Sequence, residues 1–389
     1  MREPWHPVVG IDPQTARVTV DLGAFQRNVR VLRQHVTPTE LMIVVKADGY
    51  GHGMVACARA ARACGVSWLG VATPTEALRL RAAGDEGRLL AWLYGMDEDL
   101  TPLVAADVDV SAQSAEQLTR LVGAAGTVER PARIHLKIDT GLSRNGLRID
   151  SWPELCRLAA EAERTGAVQV VGVWSHLATA EDPGHPSVAR QIQVFERAVA
   201  QATAAGLQPQ LRHLANSAGA MVIPAARFDL VRVGIAAYGL EPGPGVAALA
   251  GLELRPVMTL QGQLVNVKTI EAGDGVSYGH TWTADRQTRV GLVPLGYADG
   301  IPRHGSNRAE VGLGVGRARV RGRVCMDQFV VDLGPDATAA VGDPVILFGP
   351  GDRGEPTAWD WAAWCDTIGY EIVTRVGVRV PRSYVEPDR

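Results

Sequence analysis

Between about residues 16 and 255, short runs of apolar, β-branched residues alternate with longer stretches that repeat apolar residues every three or four positions. The short runs predict β-strands and the longer stretches predict amphipathic α-helices. The clearest helical stretches are residues 22–36, 151–164 and 187–204. Nine runs have the strand pattern: residues 17–21, 41–45, 68–71, 89–93, 108–111, 134–138, 168–174, 211–214 and 230–233.

This strand–helix alternation predicts an α/β fold built on a parallel sheet, because parallel neighbours need crossover connections that helices usually supply. With about eight such units, closure into a (β/α)8 barrel over residues 16–255 is the leading prediction. Nine candidate strands are one too many for that barrel. One of them is therefore misassigned or lies outside it.

The pattern changes after Pro256. Residues 257–270, 289–295 and 317–333 alternate apolar and polar positions, and glycine and proline punctuate the segments between them. Such alternation with frequent turns predicts strands and little helix. We therefore expect a C-terminal β-rich domain over residues 256–389. Residues 1–15 form an N-terminal segment that is free to pair with this domain.

Composition and charge exclude several classes of protein. The 389-residue chain has a formal net charge of −3, which gives no electrostatic reason to bind nucleic acid or an anionic membrane. No stretch has the unbroken apolar length of a membrane span, and the N-terminus lacks the apolar core of a secretion signal, so we expect a cytoplasmic protein. The five cysteines are scattered without a CxxC pair, which predicts reduced thiols rather than disulfides or a metal site.

Polar and small residues follow five of the predicted barrel strands. They are Lys46, Arg144, His176, Asn216 with Ser217, and Arg232 with Gly234. The active site of a (β/α)8 barrel is built at these strand ends, and the loops after the last two strands often bind phosphate. The late loops ANSAG and RVGI consist of small residues whose backbone N–H groups can approach an anion closely. The pattern therefore predicts a ligand site at this face.

Lys46 is the most informative of these residues. Most lysines lie on the surface, but Lys46 follows five apolar residues and precedes the turn-forming sequence ADGYGHG. A lysine desolvated at the end of a buried strand has a lowered pKa and becomes a nucleophile able to form a Schiff base. The residues alone thus favour a functional role for Lys46 without naming a cofactor.

A set of motifs makes the interpretation specific. They are VVKADGYGHG, KIDTGLSRNG, WSHLATAED, HLANSAG, VRVGIAAYGL, VSYGHTW, GYADG, GRVCMDQ and GYEIVTRVGVRVPR, running from about residue 41 to the C-terminus. In this order the set resembles the alanine racemase family, although each motif alone is weak. The resemblance implies a homodimer whose subunit joins a (β/α)8 barrel to a C-terminal β domain, with pyridoxal 5′-phosphate as cofactor and L- and D-alanine as substrates.

The resemblance also assigns the catalytic residues. Lys46 would bind the cofactor covalently and act as the base on one face of Cα, and Tyr278, supplied by the other subunit, would act on the opposite face. Racemisation needs a group on each face, because one base alone mainly returns the proton to the face it left. His176 and Arg232 would support Tyr278. Without the flanking motif, an aromatic residue that fills a strand end is the simpler interpretation of Tyr278.

Further residues would hold the cofactor. Arg232 would face the pyridine nitrogen, which then stays unprotonated and makes a weaker electron sink; the alternative is a structural ion pair. The residues that would bind the phosphate resemble the family set: Tyr50, Ser217, Gly234, Ile235 and Tyr370. Asn216, beside Ser217, belongs to the cofactor site or only caps a helix.

The substrate side of the site follows from the same resemblance. Arg144 and the backbone N–H of Met326 would bind the substrate carboxylate. Lys137 matches a family lysine that is often carbamylated, and its alternative is an ordinary strand lysine. Asp327, Tyr297 and Arg303 would shape the access path. Glu181 departs from the aspartate more usual in its loop, which affects the access path rather than the reaction.

Besides a racemase that supplies D-alanine for peptidoglycan, four other classes of protein are alternatives. An amino-acid decarboxylase of the same fold places a carboxylate against the pyridine nitrogen, where this chain has Arg232. A non-catalytic pyridoxal-phosphate carrier has a single barrel and no C-terminal domain. A binding module without a cofactor predicts no visible absorbance. A dinucleotide enzyme is not supported, since the glycines at 312–316 open no βαβ unit.

Overall fold

The computed structural model describes residues 10–386. The chain divides into two compact units. The barrel unit comprises Phe25–Gly49 and Met54–Leu254; the β unit comprises Tyr50–Gly53 together with the described residues before Phe25 and from Arg255 onward. Residues 1–9 of the expected N-terminal segment lie outside the described residues.

The strands of the described chain are labelled in chain order. They are β1 (Ala16–Asp21), β2 (Glu40–Val44), β3 (Trp68–Val71), β4 (Arg88–Ala91), β5 (Asp109–Ala112), β6 (Ala132–Lys137), β7 (Val168–Trp174), β8 (Leu211–His213), β9 (Leu230–Val233), β10 (Met258–Gln263), β11 (Asn266–Ile270), β12 (Thr288–Val293), β13 (Glu310–Leu313), β14 (Gly316–Arg321), β15 (Phe329–Gly334), β16 (Pro344–Phe348) and β17 (Arg382–Val385).

The helices are labelled in the same way. They are α1 (Leu22–Val36), α2 (Lys46–Tyr50), α3 (Met54–Ala63), α4 (Pro74–Ala82), α5 (Thr101–Ala105), α6 (Ala115–Val128), α7 (Trp152–Arg164), α8 (Pro186–Ala204), α9 (Ser217–Val222), α10 (Val246–Ala250), α11 (Ala358–Cys365) and α12 (Gly369–Thr374). Short 3-10 helices span Pro224–Ala226, Ile235–Tyr238, Tyr278–His280, Tyr297–Asp299 and Arg303–Gly305.

The barrel unit is built on one parallel sheet in the order β8-β7-β6-β5-β4-β3-β2-β9. Two backbone hydrogen bonds join β9 to the chain around β8: Asp229 N–H donates to Arg212 O at 3.0 Å, and Arg232 N–H donates to Ala215 O at 3.1 Å. The strands β3, β5 and β9 are buried along their whole length, as expected where helices cover the outside and side chains fill the inside. The predicted (β/α)8 barrel is confirmed.

The first predicted strand is the one of the nine candidates that lies outside this barrel. Strand β1 pairs antiparallel with β10 and parallel with β17 in the sheet of the β unit. Its side chains alternate between buried and half-buried, with Val18 and Val20 fully buried. That alternation suits a sheet with one wet face, whereas the barrel strands carry continuous apolar runs. The barrel unit therefore begins within α1, at Phe25, rather than at residue 16.

The β unit contains a nine-stranded, mainly antiparallel sheet in the order β11-β12-β15-β14-β13-β16-β10-β1-β17. Each of the predicted stretches 257–270 and 317–333 holds two strands separated by a break. Helix α11 packs through Trp361, which is buried and donates from Nε1 to Leu347 O at 2.5 Å. The predicted C-terminal β-rich domain is thus confirmed.

Two other features bear on the class of protein. Among residues 10–386, no helix combines the length and the apolar character needed to cross a bilayer. All five cysteines are free thiols, and only Cys325 is not buried.

Candidate active site

Lys46 lies two residues after Val44, the buried end of β2, and is itself half-buried. The next three residues, Ala47, Asp48 and Gly49, have left-handed backbone angles with φ of 53°, 51° and 65°. This conformation costs a non-glycine residue roughly 1–2 kcal/mol. The sequence predicted a turn here from its glycines, but Ala47 and Asp48 take the strain as well.

Glu76 holds this turn in place. Its carboxylate accepts a hydrogen bond from Ala47 N–H at 2.6 Å and from the N–H groups of Ala72 and Thr73 at 2.8 and 3.1 Å. Thr73 and Glu76 also form the capping box of α4, a pattern that is visible in the sequence. One side chain therefore ties the lysine turn to the loop after β3.

Burial, followed by the positive charge of Arg144, lowers the pKa of Lys46, while the charge of Glu76 partly opposes the shift. A lower pKa means that a larger fraction of the amine is neutral near pH 7. Because the neutral amine is the nucleophilic form, the position prepares Lys46 for attack on a carbonyl carbon.

Lys137, at the end of β6, is only 4% exposed. Burial, with the charges of Arg232 and Arg144, lowers its pKa to about 7. Its Nζ lies 4.1 Å from the centre of the Trp174 ring, a contact that favours the ammonium form but does not outweigh burial. Lys137 is thus a second amine that is partly neutral near pH 7.

The loops after β6 and β7 are joined by Gln191 of α8, which is buried. Its amide nitrogen donates to Thr140 Oγ1 and to the backbone oxygen of His176, each at 3.0 Å. Asp139 Oδ1 accepts from Gly141 N–H at 2.9 Å and shapes the loop that carries the exposed Arg144. Both loops are therefore fixed from within the barrel unit.

Arg232 is as enclosed as Lys137, at 4% exposure. Its guanidinium donates to the backbone oxygens of Ser175 at 2.7 Å, His213 at 2.9 Å and Leu214 at 3.1 Å. Burial, followed by the charge of Arg144, lowers its pKa to about 9, so it stays charged at neutral pH. Within residues 10–386 Arg232 forms no salt bridge with a carboxylate, and its hydrogen-bond partners are backbone oxygens and histidine nitrogens.

A chain of buried hydrogen bonds runs from Arg232 through the barrel. Arg232 Nη1 contacts His213 Nδ1 at 3.1 Å, His213 Nε2 contacts His135 Nδ1 at 2.9 Å, and His135 Nε2 contacts Asp109 Oδ2 at 3.1 Å. Arg232 and Asp109 fix the proton positions, since a guanidinium only donates and a carboxylate only accepts. Each ring must accept on Nδ1 and donate from Nε2, so both histidines are neutral.

The charges around this chain agree with that assignment. Burial and then the charge of Arg232 hold the pKa of His213 and that of His176 well below the usual value. Burial acts to raise the pKa of Asp109, but the hydrogen bonds from His135 and Arg133, together with the charge of Arg133, outweigh it and lower the pKa. His176 Nδ1 lies 3.3 Å from Arg232 Nη2 and is therefore the acceptor there.

The loops after β8 and β9 meet at Ser217, whose Oγ accepts a hydrogen bond from Gly234 N–H at 2.9 Å. Ile235, fully buried, begins the following 3-10 helix. Asn216 Oδ1 accepts from Gly219 N–H at 3.0 Å and caps α9. The structure thus supports the capping interpretation of Asn216, while Ser217, Gly234 and Ile235 line adjoining loop ends.

The remaining predicted residues belong to the β unit. The rings of Tyr50 and Tyr370 lie 6.4 Å apart. Tyr278, Tyr297 and Met326 are 71%, 44% and 54% exposed.

A short loop holds Met326 and Asp327 close to Tyr297. Tyr297 N–H donates to Cys325 O at 3.0 Å, and Arg379 Nη1 donates to Asp327 Oδ1 at 2.8 Å. The first contact holds the backbone before Met326, and the second holds the side chain of the residue after it.

Sequence reasoning missed several residues that position the site. They are Glu76, Asp109, His135, Trp174, Gln191 and His213. Two histidines inside apolar strand segments, His135 and His213, were a visible sign of a buried polar network, because a buried imidazole needs partners. Gln191 and Trp174 gave no such sign, since which neighbours they contact depends on the folded barrel.

The fold and the site together define a barrel enzyme with a cationic, lysine-containing site at the carboxyl ends of its strands. The family model "Alanine racemase, N-terminal domain" matches residues 20–242, and "Alanine racemase, C-terminal domain" matches residues 257–384. The chain belongs to the alanine racemase family. The prediction of this family from the motifs, and of an isomerase within it, is confirmed.

Individual relatives agree over nearly the whole chain. An alanine racemase of Frankia casuarinae is 54% identical over 94% of this chain and 95% of its own length, and one of Thermobifida fusca is 50% identical over 95% and 98%. The crystal structure of alanine racemase from D-cycloserine-producing Streptomyces lavendulae matches with a TM-score of 0.94 at 48% identity, covering 96% of this chain and 98% of the other.

Proposed function

We propose that the protein interconverts L-alanine and D-alanine with pyridoxal 5′-phosphate as cofactor and with Lys46 and Tyr278 as the two bases. One observation carries the proposal: a half-buried lysine with a lowered pKa ends a barrel strand amid other cations. Within the alanine racemase family, that position is the one expected to hold the cofactor.

The residues of the barrel unit fit this cofactor. The chain has three lysines: Lys46 and Lys137 belong to the barrel unit, and Lys268 is exposed on β11 of the β unit. Four cations influence one another at the strand ends, namely Lys46, Lys137, Arg144 and Arg232. The carboxylates that act on the two lysines are Glu76 and Asp139. This excess of positive charge suits a phosphate and a substrate carboxylate.

Specific residues would hold the cofactor. Lys46 would bind it covalently and Arg232 would donate to its ring nitrogen. Ser217, Gly234 and Ile235 would bind the phosphate, with Tyr50 and Tyr370 assigned to the same role by the family resemblance. When bound, pyridoxal 5′-phosphate withdraws electrons from Cα of the attached amino acid and so acidifies the hydrogen there.

The chain's own residues would then move the proton. Lys46 removes or returns a proton at Cα on one face, and Tyr278 does so on the other. Arg232, charged at neutral pH, donates a hydrogen bond but keeps its proton. A ring nitrogen that receives only a hydrogen bond withdraws electrons less strongly, which favours rapid reprotonation over decarboxylation. His176 accepts from Arg232 and so presents Nε2–H as a donor.

Substrate binding follows the same assignments. Arg144 and Met326 N–H would bind the carboxylate, and Tyr297 and Asp327 would line the access path. Lys137, with its pKa lowered to about 7, has a neutral amine fraction able to react with CO₂, and the resulting carbamate would orient Arg144. We propose a homodimer that shares its sites, with D-alanine supplied for peptidoglycan; the last point rests on the family resemblance alone.

The test is an assay of the purified protein with L-alanine, L-serine and other small amino acids, recording D-enantiomers, CO₂ and the absorption spectrum. We expect D-alanine as the main product, a visible absorption band, and borohydride fixation of the cofactor on the peptide that contains Lys46. CO₂ without racemisation would indicate a decarboxylase. Fixation on the Lys137 or Lys268 peptide would contradict the assignment of Lys46.

A further inference from the structure

We propose that Ser277 is a positioning residue that aims the phenol of Tyr278 by holding a strained backbone immediately before it. The inference rests on the proposed function, in which Tyr278 is a base. It concerns a residue whose type gave no sign of importance, because a serine before an aromatic is ordinary in a turn.

The strain is visible in the backbone angles of Ser277. Its φ is 62° and its ψ is −173°. This combination of positive φ with extended ψ is essentially confined to glycine, since a Cβ clashes with the backbone there. Residues with a side chain keep such a conformation only where the surroundings enforce it, and they cluster at functional sites.

The side chain of Ser277 supplies part of the enforcement. Its hydroxyl donates to Arg323 O at 2.7 Å, and its Oγ lies 3.4 Å from Cys325 Sγ. The chain of Gly322 approaches so closely that a Cβ there would lie 2.4 Å from Val276 O and 2.8 Å from Ser277 Cβ. Ser277 thus contacts residues 322–325, the segment immediately before Met326.

The turn is also closed on the other side of Tyr278. Gly279 and His280 have φ of 70° and 42°, and Val276 N–H donates to Trp282 O at 3.0 Å. The Asn307 amide donates to Thr281 O at 3.3 Å. Tyr278 therefore sits at the tip of a turn that is held at both ends.

The exposure of Tyr278 shows why the backbone matters. At 71% exposure, the ring receives little packing from its own chain that would select a rotamer. Its direction is then set mainly by the Cα–Cβ bond, which the conformation of Ser277 determines. Since catalytic proton transfer requires placement within a fraction of an ångström, a looser turn at 277 slows the step that uses Tyr278.

Three variants distinguish a positioning role of Ser277 from a purely structural role. Ser277→Ala removes the hydroxyl and keeps the strain, whereas Ser277→Gly removes both. Asp366→Gly is the matched control, because Asp366 also has a positive φ of 54° in the β unit but only ends α11. The measurements are thermal unfolding and the exchange of the α-hydrogen of each alanine enantiomer in D₂O, with Tyr278→Phe showing which enantiomer depends on Tyr278.

We expect Ser277→Gly to unfold at a higher temperature than Ser277→Ala and to slow exchange of the Tyr278-dependent enantiomer about tenfold. Exchange of the other enantiomer stays within about twofold of wild type, and Asp366→Gly leaves both unchanged. Equal slowing of both enantiomers, or of neither in a folded Ser277→Gly variant, would overturn the proposal. Absence of exchange in the wild-type protein would instead refute the proposed function.

Discussion

The two candidate bases lie in opposite kinds of surroundings. Lys46 is half-buried, follows an apolar strand, and has a pKa lowered by burial and by Arg144. Tyr278 is 71% exposed on a turn of the β unit. The barrel unit thus prepares its base with its own burial and charge, whereas the β unit fixes only the backbone direction of its base. Tyr278 therefore needs another surface to supply the burial and charge that its own turn does not provide.

Strained backbone is nonetheless common to both. Left-handed residues follow Lys46 and are held by the carboxylate of Glu76, and a glycine-like conformation precedes Tyr278 and is held by the Ser277 hydroxyl. In each case a polar side chain offsets the backbone cost next to the candidate base. A strained backbone held by a side-chain hydrogen bond is expected where the exact position of a functional residue matters more than the stability of the fold.

Replacing Lys46 gives the largest expected effect. Lys46→Ala removes both the covalent attachment and one base, so racemisation should fall below detection, by more than about 10⁴-fold, and the visible absorption band should vanish. Lys268→Ala, at an exposed lysine on β11, is the control and should keep both. Turnover by Lys46→Ala at a substantial fraction of wild type would remove Lys46 from its role.

Tyr278→Phe removes the base on the other face and leaves the barrel unit untouched. Racemisation should fall by roughly 10²–10⁴-fold, the usual contribution of a general acid or base. The absorption band should persist, and α-hydrogen exchange should survive for one enantiomer only. Equal loss of exchange for both enantiomers would contradict a base that addresses one face.

Asp109→Asn tests the buried chain that ends at Arg232. An asparagine can donate as well as accept, so His135 and His213 lose the anion that fixes their proton positions. Weakened support of Arg232 should lower kcat by roughly tenfold, about 1–2 kcal/mol, and change its pH profile while KM changes little. Asp229→Asn, at a partly exposed carboxylate paired with Arg212, is the control. An unaltered pH profile would leave Asp109 with a structural role only.

The smallest effect concerns the pH dependence of stability. Lys137 has a pKa of about 7 in the folded protein against an ordinary value of 10.5. Between these values the unfolded chain binds a proton that the folded chain does not, so this residue makes unfolding harder as pH rises, by up to about 1.4 kcal/mol per pH unit.

Denaturant unfolding in CO₂-free buffer at pH 7 and at pH 9 measures this contribution. The free energy of unfolding of the wild type should rise relative to that of Lys137→Met over this interval. Parallel pH dependences of the two proteins would show that Lys137 is charged throughout.

The sequence predicted best those structural features that are determined by residues close together in the chain. The helix over residues 22–36 and the strands over 68–71, 168–174 and 230–233 match the structure, since their periodicity and turn residues are local. The sequence could not show that the strand over 17–21 was the one outside the barrel, because the partner of a strand is decided by distant residues, here those of β10 and β17.

The same distinction between local and distant determinants applies to the residues of the site. Lys46 and Arg232 were predictable because they follow apolar strands whose ends meet at one face of a barrel. The chain Asp109–His135–His213 was not, since its members come from three separate strands and their contacts arise only from the register between them. Ser277 was missed for another reason: its backbone angles are imposed by the segment around Arg323, far along the chain.

The most direct test of the account is to mix two inactive variants, Lys46→Ala and Tyr278→Phe, under conditions in which subunits exchange. Each heterodimer would retain one site that combines an intact Lys46 with an intact Tyr278 from the partner subunit. Equal mixing should therefore restore about a quarter of wild-type activity, since half of the dimers are mixed and each has one working site. No recovery despite demonstrated subunit exchange would contradict a site shared between subunits.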